Sequence, residues 1–236
     1  MAEASQTRRI CLDGGLVDLT GPGDFSTPWA SFADIMVAGA LREIGSGPMQ
    51  WGFDVAQGAD VELSEQYTYR DGNLHFGSAA RYEERTDLHS QYHLAVWIGD
   101  GLAVKVHGFE TVTDVVAFFE NFDFIAGAIG MELRIKRGSS FSLVRGASKA
   151  PVYLQNVAGM GMFEVRQLTP AKRKHLPNWA GASARGGMLY VEGKDTPDWS
   201  LLLVGNTAVT RLYPNHWEAP PEDIAQRFSE TTVRWE

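Results

Sequence analysis

The sequence is nearly devoid of cysteine: Cys11 is the only one in 236 residues. An internal disulfide framework and a multi-cysteine zinc site are thereby excluded. With Ile10 and Leu12 as neighbours, this thiol is expected beside or within an early strand, buried and inert. Asn-x-Ser/Thr acceptors are also missing, and no apolar run approaches the ~20 residues of a membrane helix. The nearest candidate, Val115 to Met131, is interrupted by Glu120, Asn121 and Asp123. Residues 1–9 carry no apolar stretch of the secretory kind. By elimination, a cytoplasmic location without a membrane partner is expected.

Positive charge is scarce, and the formal net charge is −8. Binding to a phosphate backbone needs clustered cations, so nucleic acid is not an expected partner. The one compact basic run, Lys172-Arg173-Lys174-His175, reads as a solvated loop or helix end. Sharp catalytic signatures are missing as well. There is no Gly-x-x-x-x-Gly-Lys-Ser/Thr loop, strand-borne Gly-x-Gly-x-x-Gly, His-Glu-x-x-His or Gly-x-Ser-x-Gly. Their absence argues against the common nucleotide hydrolases, dinucleotide dehydrogenases, zinc proteases and α/β-hydrolases, and no cofactor is implied.

What is present is a packed protein: 44% of residues are hydrophobic, enough to fill a core. Residues 9–19 read as a strand or strand pair broken at Gly14-Gly15. A helix is expected from Ser26-Thr27-Pro28 to Gly45, because Phe32, Ile35, Met36, Ala40 and Ile44 recur at helical spacing. From Met49 onward the pattern turns to strands. Residues 63–76 form a hairpin about Asp71-Gly72, with Tyr69 facing Leu74 and Tyr67 facing Phe76, and with Thr68 and His75 on the other side.

Residues 91–109 form a second hairpin around Gly99-Asp100-Gly101, for which two registers compete. A two-residue loop pairs Val96 with Lys105 and Leu94 with His107. A three-residue loop pairs Val96 with Val104 and Leu94 with Val106, sorting apolar side chains onto one face. The second is preferred on that ground. Residues 111–122 then read as an amphipathic helix with a Thr111/Asp114 capping pair, and Phe124 and Ile125 return to the core. Further strands are expected at 131–137, 141–145, 152–157, 162–168, 188–192, 200–204 and 208–213. Loops are expected at 138–150 and 181–187, and a last helix opens at Pro220-Pro221-Glu222-Asp223.

The fold class is therefore α+β: a mainly antiparallel twisted sheet with two or three packed amphipathic helices. A faint echo aligns Trp97-Ile-Gly-Asp-Gly-Leu-Ala-Val-Lys-Val106 with Leu203-Val-Gly-Asn-Thr-Ala-Val-Thr-Arg-Leu212, each hairpin running into a helix. One position is identical, so chance similarity between two ordinary hairpins explains the echo better than duplication does. A single domain over 1–236 is expected, with closely packed pseudo-symmetric halves at 8–126 and 127–236 as the finer division.

The preferred register would place His93 across from His107, with Lys105 and Trp97 on the same face. Cross-strand Cβ atoms about 5 Å apart would let two imidazoles pass a proton beside a lysine. A metal would need a third ligand from Glu83, Glu84, Asp87 or His89, and none is assigned. Tyr67, Tyr69, Trp179 and Trp217 are the remaining candidates for lining a ligand site. Two functions follow. The favoured one is an interaction protein (an adaptor, specialised chaperone or immunity-type partner) steered by its acidity toward a basic partner. The other is a small-molecule enzyme or carrier, an isomerase, cyclase or lyase working on an apolar ligand by His and Tyr acid–base chemistry.

Overall fold

The structure, a computed structural model, describes residues 5–83, 88–144, 153–193, 196, 199–215 and 221–236, apart from the side chains of 81–89 and 221. It opens with the hairpin β1 (Ser5–Ile10) and β2 (Leu16–Gly21), as the break at Gly14-Gly15 predicts. β3 (Trp29–Val37) and β4 (Ala40–Pro48) follow, then α1 (Met49–Gly58). β5 (Glu62–Tyr69), β6 (Gly72–Glu83), β7 (Leu88–Gly99) and β8 (Leu102–His107) form a meander. It leads into α2 (Val112–Phe119), β9 (Phe122–Gly127), β10 (Gly130–Ile135) and β11 (Ser142–Val144). Next come β12 (Tyr153–Val157), β13 (Gly161–Gln167), α3 (Pro170–Arg173) and β14 (Ala182–Ala184). β15 (Gly187–Glu192), β16 (Ser200–Val204), β17 (Ala208–Pro214), α4 (Pro221–Ser229) and β18 (Thr232–Trp235) complete the order. The protein is thus mostly antiparallel sheet with short helices, rather than a balanced α+β mixture.

Two compact units result: an inserted unit, Ala30–Arg145, and an outer unit made of Met1–Trp29 with Gly146–Glu236. In the inserted unit the strands lie in the order β11-β3-β4-β8-β7-β6-β5. In the outer unit β12-β13-β17-β16-β15-β14 form one sheet, and β18 pairs with β2 of the opening hairpin. Without β11 the two orders match strand for strand. β3–β9 and β12–β18 each run strand, strand, helix, four strands, helix, strand, and each run places its sixth strand beside its second.

Residues 26–45 do not form the expected helix. β3 is buried on both faces, so its apolar spacing carries no period that separates helix from strand. Ala38 and Gly39, both at positive φ, make the tight turn into β4. The helix comes next, at α1, where strands were expected. Gly52 hides it in sequence yet makes it possible: a Cβ there would lie 2.7 Å from Val96 and 2.8 Å from Ala103. Without one, the helix axis settles directly onto β7 and β8, burying Ala56, Val61, Leu94, Val96 and Ala103 together.

The hairpin of β5 and β6 turns at Arg70-Asp71, one residue earlier than expected, so Tyr69 pairs with Gly72 and Tyr67 with Leu74. Each strand keeps its two faces, and Tyr67, Tyr69, Leu74 and Phe76 still share one side. The hairpin of β7 and β8 adopts the register that sequence disfavours. Asp100 and Gly101, both at positive φ, form a two-residue turn that pairs Val96 with Lys105 and Leu94 with His107. Apolar sorting misleads here because the sheet has no solvent face. α1 covers Leu94 and Val96, while Trp97, Val104 and Val106 are buried on the reverse.

α2 forms as predicted, with the Thr111 hydroxyl accepting from the Asp114 N–H and with Val115, Phe118 and Phe119 buried. Phe118 and Phe119 pack with Phe122, Phe124 and Phe141 in one aromatic cluster. Ile125, expected in the core, points outward instead. In the outer unit the predicted strands at 162–168, 188–192, 200–204 and 208–213 are all present. The stretch 181–187 is less loop-like than its Gly and Ser content suggests, since β14 lies within it.

Candidate functional site

The paired-histidine site does not exist. His93 lies on the β7 face shared with Phe76, on which its ring stacks at 5.8 Å. His107, opposite Leu94, lies on the other face and stacks on Tyr92 at 5.7 Å. A shift of one position in the register inverts which side chains share a face, and that separates the imidazoles. Lys105 stays with His107, but its role is structural. It is 8% exposed, its Nζ donates to the Glu43 carboxylate at 2.7 Å, and it lies over the Phe32 ring. Among the described residues no three His, Cys, Asp or Glu side chains converge as a metal site.

The aromatic candidates divide. Trp97 is buried, its indole N–H donating to the Tyr69 carbonyl at 3.1 Å. Tyr69 stacks on Phe119 and donates to Glu120 at 2.8 Å, which ties β5 to the end of α2. Burial and that hydrogen bond push its phenol up to about 12. Tyr67 is half exposed and donates to its neighbour Glu65. Trp217 lies outside the described residues, as do Glu84 and Asp87 and the side chains of Glu83 and His89. Trp179 is 51% exposed and meets the Tyr190 ring edge-on at 6.3 Å. Of the sequence candidates among the described residues, it alone borders the surface described next.

That surface is one face of the outer unit's sheet. The opposite face is a filled core, where Phe163, Val165, Leu201 and Leu212 are buried and Phe163 meets Phe228 of α4. The open face carries the alternate residues. In the inserted unit the corresponding face is covered by α1. Val96 stands four residues before its turn and Leu202 four before Asn206-Thr207, so α1 rests where the outer unit presents Leu202 and Val209. The outer unit's helix at that place is α3, four residues long, with no buried residue. The Thr169 hydroxyl caps it and Pro170 starts it, but basic side chains follow where α1 has Trp51, Val55 and Ala56. It cannot cover the sheet.

Met162, Met188 and Tyr213 are therefore left exposed beside Tyr190 and Trp179. Between them runs a ladder of charge pairs. Arg166 Nε donates to Glu164 at 2.6 Å, and Arg211 Nε donates to Glu192 at 2.9 Å. Tyr213 donates to Glu164 at 3.3 Å. A cleft of about 110 Å³ opens among Glu164, Arg166, Leu202, Val209 and Arg211. From α3, Lys172 brings a buried Nζ that has no hydrogen-bond partner among the described residues. Burial, then the Arg166 charge, lowers its pKa, with Glu164 opposing.

No protein-family model, curated protein or solved structure matches the chain. No helix among the described residues is long and apolar enough to cross a membrane. The alternation of Met162, Glu164 and Arg166 marks a half-exposed strand in the sequence. That no long helix among the described residues lies over it reflects α3's length, which local pattern does not report.

Proposed function

We propose that this is a cytoplasmic binding protein whose outer-unit sheet face receives an amphipathic helix from a protein partner. The carrying observation is internal. Two units share one connectivity, yet among the described residues no helix covers in one the face that α1 covers in the other. α1 shows the element that fits there, a helix with small and apolar residues at the sheet and polar residues outward. Met162, Met188, Tyr190, Tyr213 and Trp179 are side chains suited to such docking, being adaptable thioethers and rigid aromatics. Helix-in-groove recognition of this type uses apolar anchors at i, i+3 or i+4 and i+7.

Charge refines the expectation. The protein as a whole is acidic, which alone would favour a basic partner. The face itself has three cations, Arg166, Arg211 and Lys172, against two carboxylates, Glu164 and Glu192. The docked helix should therefore place an acidic side chain against Lys172, completing the one donor that lacks a partner.

Photo-crosslinking residues at Met188 and Tyr213 test this. The expected result is capture of one partner through a single helical segment at both positions. The folded variant Met188→Glu/Tyr213→Glu should lose it. Crosslinks to a second copy of this chain, crosslinks to no protein, or a complex that survives the double substitution would each overturn the proposal.

A further inference from the structure

Comparison of the two units exposes a second site, away from the open face and independent of the reading above. In the inserted unit Trp97, three residues before its turn, fills the space between the β5–β6 turn, the β7–β8 turn and β9. Its ring leaves no room for a Cβ at Gly72 or Gly99, where one would lie 2.9 Å and 2.4 Å away, and it meets Phe124 at 5.1 Å. The outer unit has Leu203 three residues before its own turn, Asn206-Thr207. Between that turn, the β14–β15 turn and β18 there is a cavity of about 350 Å³. This is at the lower end of small-ligand pockets.

Its walls have a definite chemistry. Arg185 is the first turn residue after β14, as Arg70 is after β5. Arg70 uses its guanidinium on the carbonyls of Phe119 at 2.7 Å and Phe122 at 2.9 Å. Arg185 instead anchors the end of α4 through its backbone N–H, which donates to the Ser229 carbonyl at 2.8 Å. Arg185 is also among the residues that line the cavity. Arg234 of β18 lines it too, and stands opposite Asp18 of β2, whose carboxyl pKa its charge helps to lower.

Asn206 contributes from the turn, whose carbonyl Arg173 holds at 2.8 Å. The Thr207 hydroxyl accepts from the Trp235 N–H at 2.9 Å, fixing turn and strand together. The one carboxylate in the wall, Glu236, is engaged by Arg8 at 3.3 Å. In a protein of net charge −8, this pocket is lined by two arginines against one glutamate.

We infer that the outer unit binds a small organic anion, a carboxylate or phosphate held between Arg185 and Arg234. Guanidinium groups match such oxyanions bidentately, and the Asn206 amide supplies a further donor or acceptor for the body of the ligand.

The full chain is titrated with inorganic phosphate and, separately, with succinate at low ionic strength. The readouts are the Trp235 backbone amide by NMR and the thermal midpoint, with sodium chloride as control. Saturable shifts with one anion or both are expected, and the better one identifies the head group. Arg185→Gln and Arg234→Gln should each weaken binding by about tenfold. Leu203→Trp should fill the pocket and abolish it. Should that variant fail to fold, the two arginine variants decide. Shifts that never saturate, that chloride reproduces, or that persist in folded Arg234→Gln would overturn the inference. Met188→Glu/Tyr213→Glu should leave anion binding intact, so failure here and failure of helix docking are distinguishable.

Discussion

Trp97 and Leu203 occupy corresponding positions in two hairpins of like connectivity. Trp97 pairs with Val104 and Leu203 with Thr210, each three residues ahead of a two-residue turn. The larger side chain packs into an aromatic cluster with Phe124. Trp97→Leu should accordingly open a void in the inserted unit. We expect a loss of about 3 kcal/mol, read from urea denaturation, because the ring is buried against Phe124 and donates to Tyr69. A change below about 0.5 kcal/mol would mean that the indole is not a packing element.

The two histidines face opposite sides of their sheet, so their contributions should be independent. In a double-mutant cycle of His93→Gln and His107→Gln, the free energies of unfolding should add within about 0.5 kcal/mol. A coupling well above that would restore the paired site. Zinc should not raise the thermal midpoint of the wild type more than that of the double variant.

Tyr69 should titrate late. Burial, helped by the hydrogen bond to Glu120, pushes its phenol up to about 12. An unfolded chain ionises tyrosine near about 10. The folded state holds the proton more tightly, so the stabilisation is complete below the unfolded value and is lost as pH rises toward about 12. Ultraviolet difference titration should show one delayed phenol that disappears in Tyr69→Phe. That variant should also flatten the fall in stability across the same window.

Lys172 should behave in the opposite way. Its pKa is lowered in the folded protein, so unfolding takes up a proton, and stability rises with pH through the interval below the ordinary lysine value. Lys172→Met removes a buried ammonium nitrogen with no acceptor. It should stabilise the free protein by up to about 1 kcal/mol in thermal unfolding, and it should weaken capture of the helical partner. A destabilised Lys172→Met variant would show that an acceptor is already present.

Local chemistry legible in the sequence decided much of this molecule. Alternating side chains mark β13 and β17, and an apolar run marks β16. The Thr111 cap marks α2, and Pro221 with its following acids marks α4. Those signals lie within a few residues of one another, so no tertiary contact is needed to read them.

Tertiary structure decided the rest. β3 looks helical because it is covered on both sides, and α1 looks unhelical because Gly52 faces a sheet far away in sequence. The register of β7 on β8 follows from layers on both faces, which removes the apolar sorting on which a local argument depends. Exposure at Met188 and Tyr213 follows from a helix too short to reach them. Whether a surface is covered depends on what packs over it, and an alternating strand has the same sequence whether its outer face meets a helix of its own chain, a partner or water.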